Sequence, residues 1–242
     1  MRLCVAQIRP VSGSIAQNIG IHKKWIDRAI QNSTDIIIFP ELSITGYEPN
    51  LAHDLALHPD DARLEVFQHL SDQSKIIIGV GAPIRQDQGI TISLILFHPN
   101  APRQVYTKKY IHQDEEPFFI PGHNESALLN HHPTIALSIC YELSVPQHAE
   151  DAHRHGANIY LSSVAKTAQG ILRANARLSE IAQKYKMTVL MSNCVGVCDQ
   201  VMTTGNSAVW DDQGIMLAQL DQSTEGLLIW DTKLQETICL VD

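Results

Sequence analysis

The chain has 242 residues, of which 44% are hydrophobic and 18% charged, and these values are typical of one large soluble α/β domain. Its formal charge is −8 and its lysines and arginines are scattered, which argues against a nucleic-acid or anionic-membrane surface. The first residues lack the apolar segment of a secretory signal, and no apolar run approaches the roughly 20 residues that a membrane helix needs. Five cysteines without framework spacing indicate reduced thiols and predict a cytoplasmic protein.

Strands and helices alternate through the first half of the sequence. Isoleucines recur at helical spacing in residues 14–31, with Ser14 as the expected N-cap. Residues 43–59 predict a loop, and His58 and Pro59 are expected to cap the helix that follows. The predicted elements, in order, are a strand at 2–8, a helix at 14–31, a strand at 35–39, a helix at 60–72, a strand at 75–80 and an antiparallel pair at 90–97 and 104–108.

The second half roughly repeats this order. Its predicted elements are strands at 126–129 and 134–139, a helix at 147–155 that Pro146 opens, a strand at 158–161, a helix at 169–186, a strand at 187–192 and antiparallel strands at 205–210, 215–219 and 226–230. Apolar runs such as DIIIF are typical of strands covered on both faces. Because no linker divides the chain, residues 1–242 predict a single α/β domain, a four-layer αββα sandwich of two mixed sheets covered by helices.

Cys140 stands at the carboxyl end of a predicted buried strand, just before a helix. Open α/β sheets bind their ligands at such positions, where backbone N–H groups can stabilise a thiolate or an oxyanion. The alternative is a small buried core residue, the usual place of a free cysteine. His148, His153 and His155 follow in the sequence and leave a cysteine–histidine pair as another alternative.

Two further residues with reactive side chains follow predicted strands. Glu41 comes directly after DIIIFP, and Lys108 ends the strand QVYTK, in which alternation places Lys108 and Lys109 on opposite faces. A loop or helix cap is the alternative role for Glu41. An ammonium stabilises a cysteine thiolate, and a carboxylate can accept the thiol proton and pass it to a departing amine. The three side chains together therefore predict nucleophilic attack by Cys140 on a carbonyl.

Three sequence blocks and a tail resemble the nitrilase, or carbon–nitrogen hydrolase, superfamily. The blocks are FPELSITGY (39–47), YTKKYIHQDEEPFFIPG (106–122) and ICYELSVP (139–146), and in the tail the similarity rests on Asn193, Gly196, Gly205, Ser207 and Gly214. The resemblance covers nearly the whole chain. It implies the αββα fold, which agrees with the predicted order of strands and helices.

The resemblance also implies roles for single residues. Glu41 would be the general base, Lys108 the oxyanion-stabilising lysine, Cys140 the nucleophile and Glu115 a second glutamate that orients the lysine and the substrate. Glu116 is the competing register, and the spacing to the following Phe and Gly favours Glu115. The N–H of Tyr141 is expected to assist Lys108 at the oxyanion, while Tyr47, Phe119 and the Tyr141 side chain either line the pocket or pack in the core.

Two positions depart from the family pattern. Glu142 stands where the family usually has aspartate, and Ser144 where it commonly has arginine, so the local ion pairing is expected to differ. We count Glu142 among the auxiliary residues. Cys194 and Cys198 with Asp199 do not form a full metal-ligand set, and neither a metal nor another cofactor is expected.

The expected activity is hydrolysis of a non-peptide C–N bond in a small amide through a cysteine thioester, which releases ammonia or an amine. An N-carbamoyl amidohydrolase or an acyltransferase with the same triad is an alternative, as is a non-catalytic ligand-binding member of the family. The expected partners are a small-molecule substrate and further copies of the chain, as a homodimer or a higher homo-oligomer. No nucleic acid or membrane is expected to bind.

Overall fold

Two large β-sheets dominate the structure, a computed structural model that describes residues 1–123, 128–129 and 133–242. The first sheet has seven strands in the order β15-β14-β1-β2-β3-β4-β5. β1, β2 and β3 are parallel, and the remaining pairs are antiparallel. The strands are β1 (Arg2–Gln7), β2 (Ile36–Ile38), β3 (Ile77–Gln86), β4 (Gly89–Phe97), β5 (Gln104–Thr107), β14 (Gly226–Asp231) and β15 (Glu236–Val241).

The second sheet has six strands in the order β13-β12-β9-β8-β7-β6. Its centre, β7 to β9, is parallel, and its outer pairs are antiparallel. The strands are β6 (Leu128–Leu129), β7 (Ile135–Ile139), β8 (Ile159–Ser163), β9 (Thr188–Ser192), β12 (Ala208–Trp210) and β13 (Met216–Gln219). A separate hairpin joins β10 (Val195–Cys198) to β11 (Val201–Thr204).

Five α-helices accompany the sheets in the described part of the chain: α1 (Ile15–Gln31), α2 (Ala52–Leu55), α3 (Glu65–Ser74), α4 (Pro146–Arg154) and α5 (Ala168–Tyr185). Short 3₁₀ helices cover Pro49–Leu51, Ala62–Leu64, Gln113–Glu115 and Cys140–Ser144.

Three buried apolar clusters define the layers. The first lies between the sheets and joins residues such as Leu94 and Leu137, the second includes Trp25 of α1 and Phe67 of α3, and the third includes Leu178 of α5. Both sheets are thus covered on both faces, which explains why the apolar runs of their central strands do not alternate. The predicted four-layer αββα sandwich is confirmed.

Ser14 occupies the predicted N-cap position of α1 but makes no side-chain capping bond, and Asn18 binds the Val11 backbone at 2.7 and 2.9 Å. Other local predictions were wrong. The predicted loop at 43–59 contains a 3₁₀ turn and α2. The helix expected from residue 60 begins with a 3₁₀ turn that Asp61, rather than His58 and Pro59, caps.

Some strands also differ from the sequence-based expectation. β3 continues past residue 80 to Gln86, because its pairing with β4 extends to the turn between them. The sequence reading missed the hairpin β10–β11 and the edge strand β15. Part of the strand expected at 126–129 and of the turn after it lies outside the described residues.

Candidate active site

Glu41 leaves the end of β2 in a tight bend. Leu42 takes a left-handed backbone conformation with φ 52°, and the bend packs against β3 at Gly81. A Cβ on Gly81 would lie 2.4 Å from the Pro40 carbonyl oxygen, so only glycine permits this approach. The bend turns the Glu41 side chain into the interior, where only 2% of the residue is exposed.

Lys108 directly follows β5 and is completely buried, whereas its neighbour Lys109 is exposed. The predicted alternation of the two lysines is therefore confirmed. The Gly122 amide donates to the Lys108 carbonyl at 2.7 Å, and a Cβ on Gly122 would clash with Thr107. This close contact fixes the backbone that carries the buried ammonium.

The Lys108 ammonium joins two buried carboxylates. It donates to Glu41 Oε1 at 2.7 Å and to both oxygens of Glu115 at 2.6 and 2.9 Å. The Tyr47 hydroxyl and the His112 amide also donate to Glu115, at 2.9 and 2.7 Å. Glu115 is thus held by charge-assisted hydrogen bonds on both oxygens, while the neighbouring residue 116 is exposed.

Cys140 opens a 3₁₀ helix at the end of β7 in a left-handed conformation with φ 43°. A non-glycine residue in this region is strained, and such strain concentrates at functional sites. Tyr141 follows in the first turn, where backbone N–H groups lack intrahelical partners. The chain bend therefore places the thiol beside free donors of the kind that an oxyanion needs.

Electrostatics keeps the sulfur protonated at rest. Burial, together with the charge of Glu41, raises the pKa of the Cys140 thiol to about 11. Burial also raises the pKa of Glu41, against the opposing charge of Lys108. Glu41 Oε2 is buried and has no hydrogen-bond partner in the described part of the chain. A carboxylate of raised basicity next to a neutral thiol is suited to accept its proton.

Lys108 stays charged in this setting. Burial alone would lower its pKa, but the charges of Glu41 and Glu115 outweigh burial and raise it. A permanent ammonium beside the thiol can stabilise negative charge that develops during attack. Glu41, Lys108, Glu115 and Cys140 thus converge, as the sequence analysis expected, although they come from four separate segments.

Glu142 is completely buried and connects the segments of Lys108 and Cys140 through hydrogen bonds. Its Oε1 accepts from the Lys109 amide at 2.6 Å, and its Oε2 accepts from the Ile139 amide at 2.8 Å and the Tyr106 hydroxyl at 2.6 Å. One carboxylate therefore ties the residue after Lys108 to the residue before Cys140. These donors also show how the chain stabilises Glu142 with Ser144 in place of an arginine.

Replacing Glu142 with glutamine should destabilise the fold by about 1–3 kcal/mol. Both carboxylate oxygens accept hydrogen bonds from backbone amides, and in the variant the NH₂ group of the glutamine would face one of these N–H donors. Chemical denaturation measures this loss. Glu150→Gln, at a side chain that is 47% exposed, is the matched control and should change stability by less than about 0.5 kcal/mol. Equal stability of the two variants would contradict this connecting role of Glu142.

His148 is occupied by the same network. Its ring nitrogens contact the Tyr106 and Tyr160 hydroxyls at 2.9 and 2.8 Å, and burial lowers its pKa, which favours the neutral ring. With both nitrogens engaged, His148 is not available to Cys140. His148 is therefore not the partner of the sulfur.

The remaining predicted residues occupy different surroundings. Phe119 packs in the apolar cluster between the sheets, with 3% exposed. The Tyr141 ring is 37% exposed and makes an edge contact with His112 at 5.1 Å. Cys194 and Cys198 are both buried, with their sulfurs 3.6 Å apart. Among the described residues, no group of three or more histidine, cysteine or acidic side chains is placed to bind a metal ion.

Ser163 is a positioning residue that the sequence analysis missed. It ends β8 beside Ile139, and its hydroxyl donates to the Phe39 carbonyl at 2.8 Å. This bond crosses from one sheet to the other and joins the strand beside Ile139 to the segment that leads to Glu41. A serine at the end of an apolar strand carries no sequence signal for such a partner.

A model of the carbon-nitrogen hydrolase family matches residues 2–238. The glutamine-dependent NAD(+) synthetase of Acinetobacter baylyi is 24% identical over 235 residues, which are 93% of this chain and 43% of the synthetase. The chain therefore spans less than half of that relative. A protein of Staphylococcus aureus described as a hydrolase in the agr operon is 22% identical, and the match covers 98% of this chain and 92% of that protein.

Solved structures give the same fold. The amidase of Nesterenkonia sp. AN1 superposes with a TM-score of 0.86 at 20% identity, over 95% of this chain and 89% of the amidase. Because the family model spans nearly the whole sequence, this chain belongs to the carbon–nitrogen hydrolase family of enzymes.

Proposed function

We propose that the protein hydrolyses the C–N bond of a small amide through a thioester on Cys140. Glu41 accepts the thiol proton as the sulfur attacks the carbonyl carbon, and Lys108 with the Tyr141 N–H stabilises the oxyanion. The C–N bond then breaks, and the nitrogen leaves as ammonia or an amine with the proton from Glu41. Water, deprotonated by Glu41, hydrolyses the thioester to a carboxylic acid and restores the thiol.

The observation that carries this proposal is the completely buried Lys108 ammonium, which binds Glu41 and Glu115 within 2.6–2.9 Å next to a strained cysteine. A structural ion pair would not need a third ionisable group. Here the thiol and the two charged partners influence one another's pKa, as expected of a reactive set.

The similar amidase supports the substrate class. One structure of the Nesterenkonia enzyme holds butyramide, and another shows covalent addition of the acetamide moiety of fluoroacetamide at its active-site cysteine. Both are small aliphatic amides, and a cysteine is the group that reacts. We therefore favour an amide over a nitrile or an N-carbamoyl compound.

The test is ammonia release from a panel of small aliphatic amides, nitriles and N-carbamoyl amino acids. Amides should release ammonia with the wild-type protein and not with Cys140→Ser. Added hydroxylamine should divert the acyl group to a hydroxamate, because it attacks the thioester in place of water. A folded protein that releases no ammonia and leaves Cys140 unmodified by iodoacetamide would overturn the proposal in favour of a ligand-binding role.

We further infer that the enzyme acts in the cytoplasm as a homo-oligomer. All five cysteines are free, as expected in a reducing compartment.

Hairpin β10–β11 exposes Val197, Val201 and Met202 by more than half, and Leu172 on α5 is 73% exposed. Apolar side chains of this kind favour contact with another copy. In the described residues, no helix combines the length and the apolar character needed to cross a membrane.

A further inference from the structure

Lys166 lies in the loop between β8 and α5, on the same sheet edge as Cys140. Strands β7 and β8 are parallel neighbours, and Ile139, the residue before Cys140, pairs with Ser163. Because both strands end on the same side of the sheet, the loop with Lys166 begins beside the nucleophile. Open α/β sheets bind their ligands at the carboxyl ends of their strands.

The backbone of Lys166 is held firmly. Its amide donates to Asn193 Oδ1 at 2.8 Å, and its carbonyl accepts from Asn193 Nδ2 at 3.1 Å. Its side chain runs next to Gly170 in the first turn of α5, since a Cβ on that glycine would lie 3.4 Å from Lys166 Cβ. The side chain therefore extends from a fixed point.

The Lys166 ammonium has no partner in the described part of the chain. Across the described ranges, no carboxylate or other side chain forms a hydrogen bond or an ion pair with it, although the residue is only partly exposed. Thr204 donates its amide to the Lys166 carbonyl at 3.3 Å and carries a buried hydroxyl that also has no partner there. In the described residues, neither the ammonium of Lys166 nor the hydroxyl of the adjoining Thr204 has a partner.

The charge of Lys166 reaches the reaction centre. Burial and Glu41 raise the pKa of Cys140, and Lys166 counteracts them more strongly than Lys108 does. Lys108 itself is bound by two carboxylates, so these three groups carry a net charge of −1 when ionised (+1 − 2). An anionic ligand entering this site therefore needs another cation.

We propose that Lys166 binds a carboxylate of the substrate, and that the preferred substrates are small amides with an anionic group at the end opposite the amide. This inference rests on the proposed amide hydrolysis and specifies its substrate class. A neutral amide such as butyramide offers nothing that pairs with a second ammonium. A hydrogen bond between two charged groups is stronger than one between neutral groups, and thus favours the anionic substrate.

The test compares succinamate, which carries a carboxylate, with butyramide, which has a methyl group in its place. The kcat/KM ratio of succinamate to butyramide should favour succinamate and should fall about 10- to 100-fold in Lys166→Met. The ratio cancels any effect of the substitution on the thiol itself. Lys166→Arg should keep most of the preference, and Lys23→Met, which removes an exposed lysine on α1, should leave the ratio unchanged.

A ratio that Lys166→Met does not change overturns the carboxylate site and leaves amide hydrolysis standing. If no amide is hydrolysed in a Cys140-dependent way, the proposed function fails, and binding then decides the role of Lys166. Calorimetry with the Cys140→Ala variant would measure this binding. Succinamate binding that is lost with Lys166→Met supports the anion site, and binding that is equal with and without the lysine overturns it.

Discussion

Replacing Cys140 with alanine should lower kcat/KM for amide hydrolysis by about 10⁴-fold or more while leaving the fold intact. The sulfur forms the thioester, and no other cysteine can take its place, since Cys4, Cys194 and Cys198 are buried and Cys239 lies on the edge strand β15. Alanine can adopt the same backbone conformation, so the free energy of unfolding should change by less than about 1 kcal/mol. Ammonia release and thermal unfolding measure the two effects.

Cys239→Ala is the matched control, because it removes the exposed free thiol and should retain full activity. Mass spectrometry after iodoacetamide treatment should show loss of one label in each variant. Activity of Cys140→Ala within tenfold of the wild type would exclude the thioester mechanism.

Replacing Lys108 with methionine should cost about 3–5 kcal/mol of stability and also abolish activity, because it leaves Glu41 and Glu115 buried without their cation. Denaturant unfolding at pH 7 measures the stability. Lys109→Met is the control. The exposed Lys109 ammonium lies 5.4 Å from the centre of the Tyr110 ring, so the variant should lose only about 0.5–1 kcal/mol from this contact.

The stability loss in Lys108→Met should shrink as the pH falls. Burial already raises the pKa of Glu41, and without the opposing charge of Lys108 this pKa lies further above the unfolded value of about 4.3. The destabilisation is then fully present above the raised pKa and is relieved as protons bind below it. Wild-type and variant stabilities that stay equally far apart between pH 7 and pH 5 would show that the carboxylates are not the cause.

Residues with a local signal were predicted well. The apolar run before Cys140 defined a strand, and alternation placed Lys108 and Lys109 on opposite faces. The register of Glu115 relied on similarity to a known family, and the structure buries that residue while it exposes Glu116. These features depend on neighbours in the sequence, which is why the sequence could indicate them.

Features that depend on tertiary partners could not be predicted. Glu142 binds the backbone amides of Lys109 and Ile139, which lie 30 residues apart in sequence, and only the fold brings them together. Hairpin β10–β11 turns at Asp199 and Gln200, both with positive φ but neither the glycine that usually marks such a turn. Lys166 belongs to none of the three catalytic blocks.

The hydroxyl bridge from Ser163 to the Phe39 carbonyl has a consequence for folding. The acid and the sulfur belong to opposite sheets, so neither half of the sandwich contains a reactive site by itself. Catalytic competence is a property of the docked sheets and cannot precede their association. During refolding, recovered activity therefore reports the final closure of the interface, while secondary structure can form earlier without it.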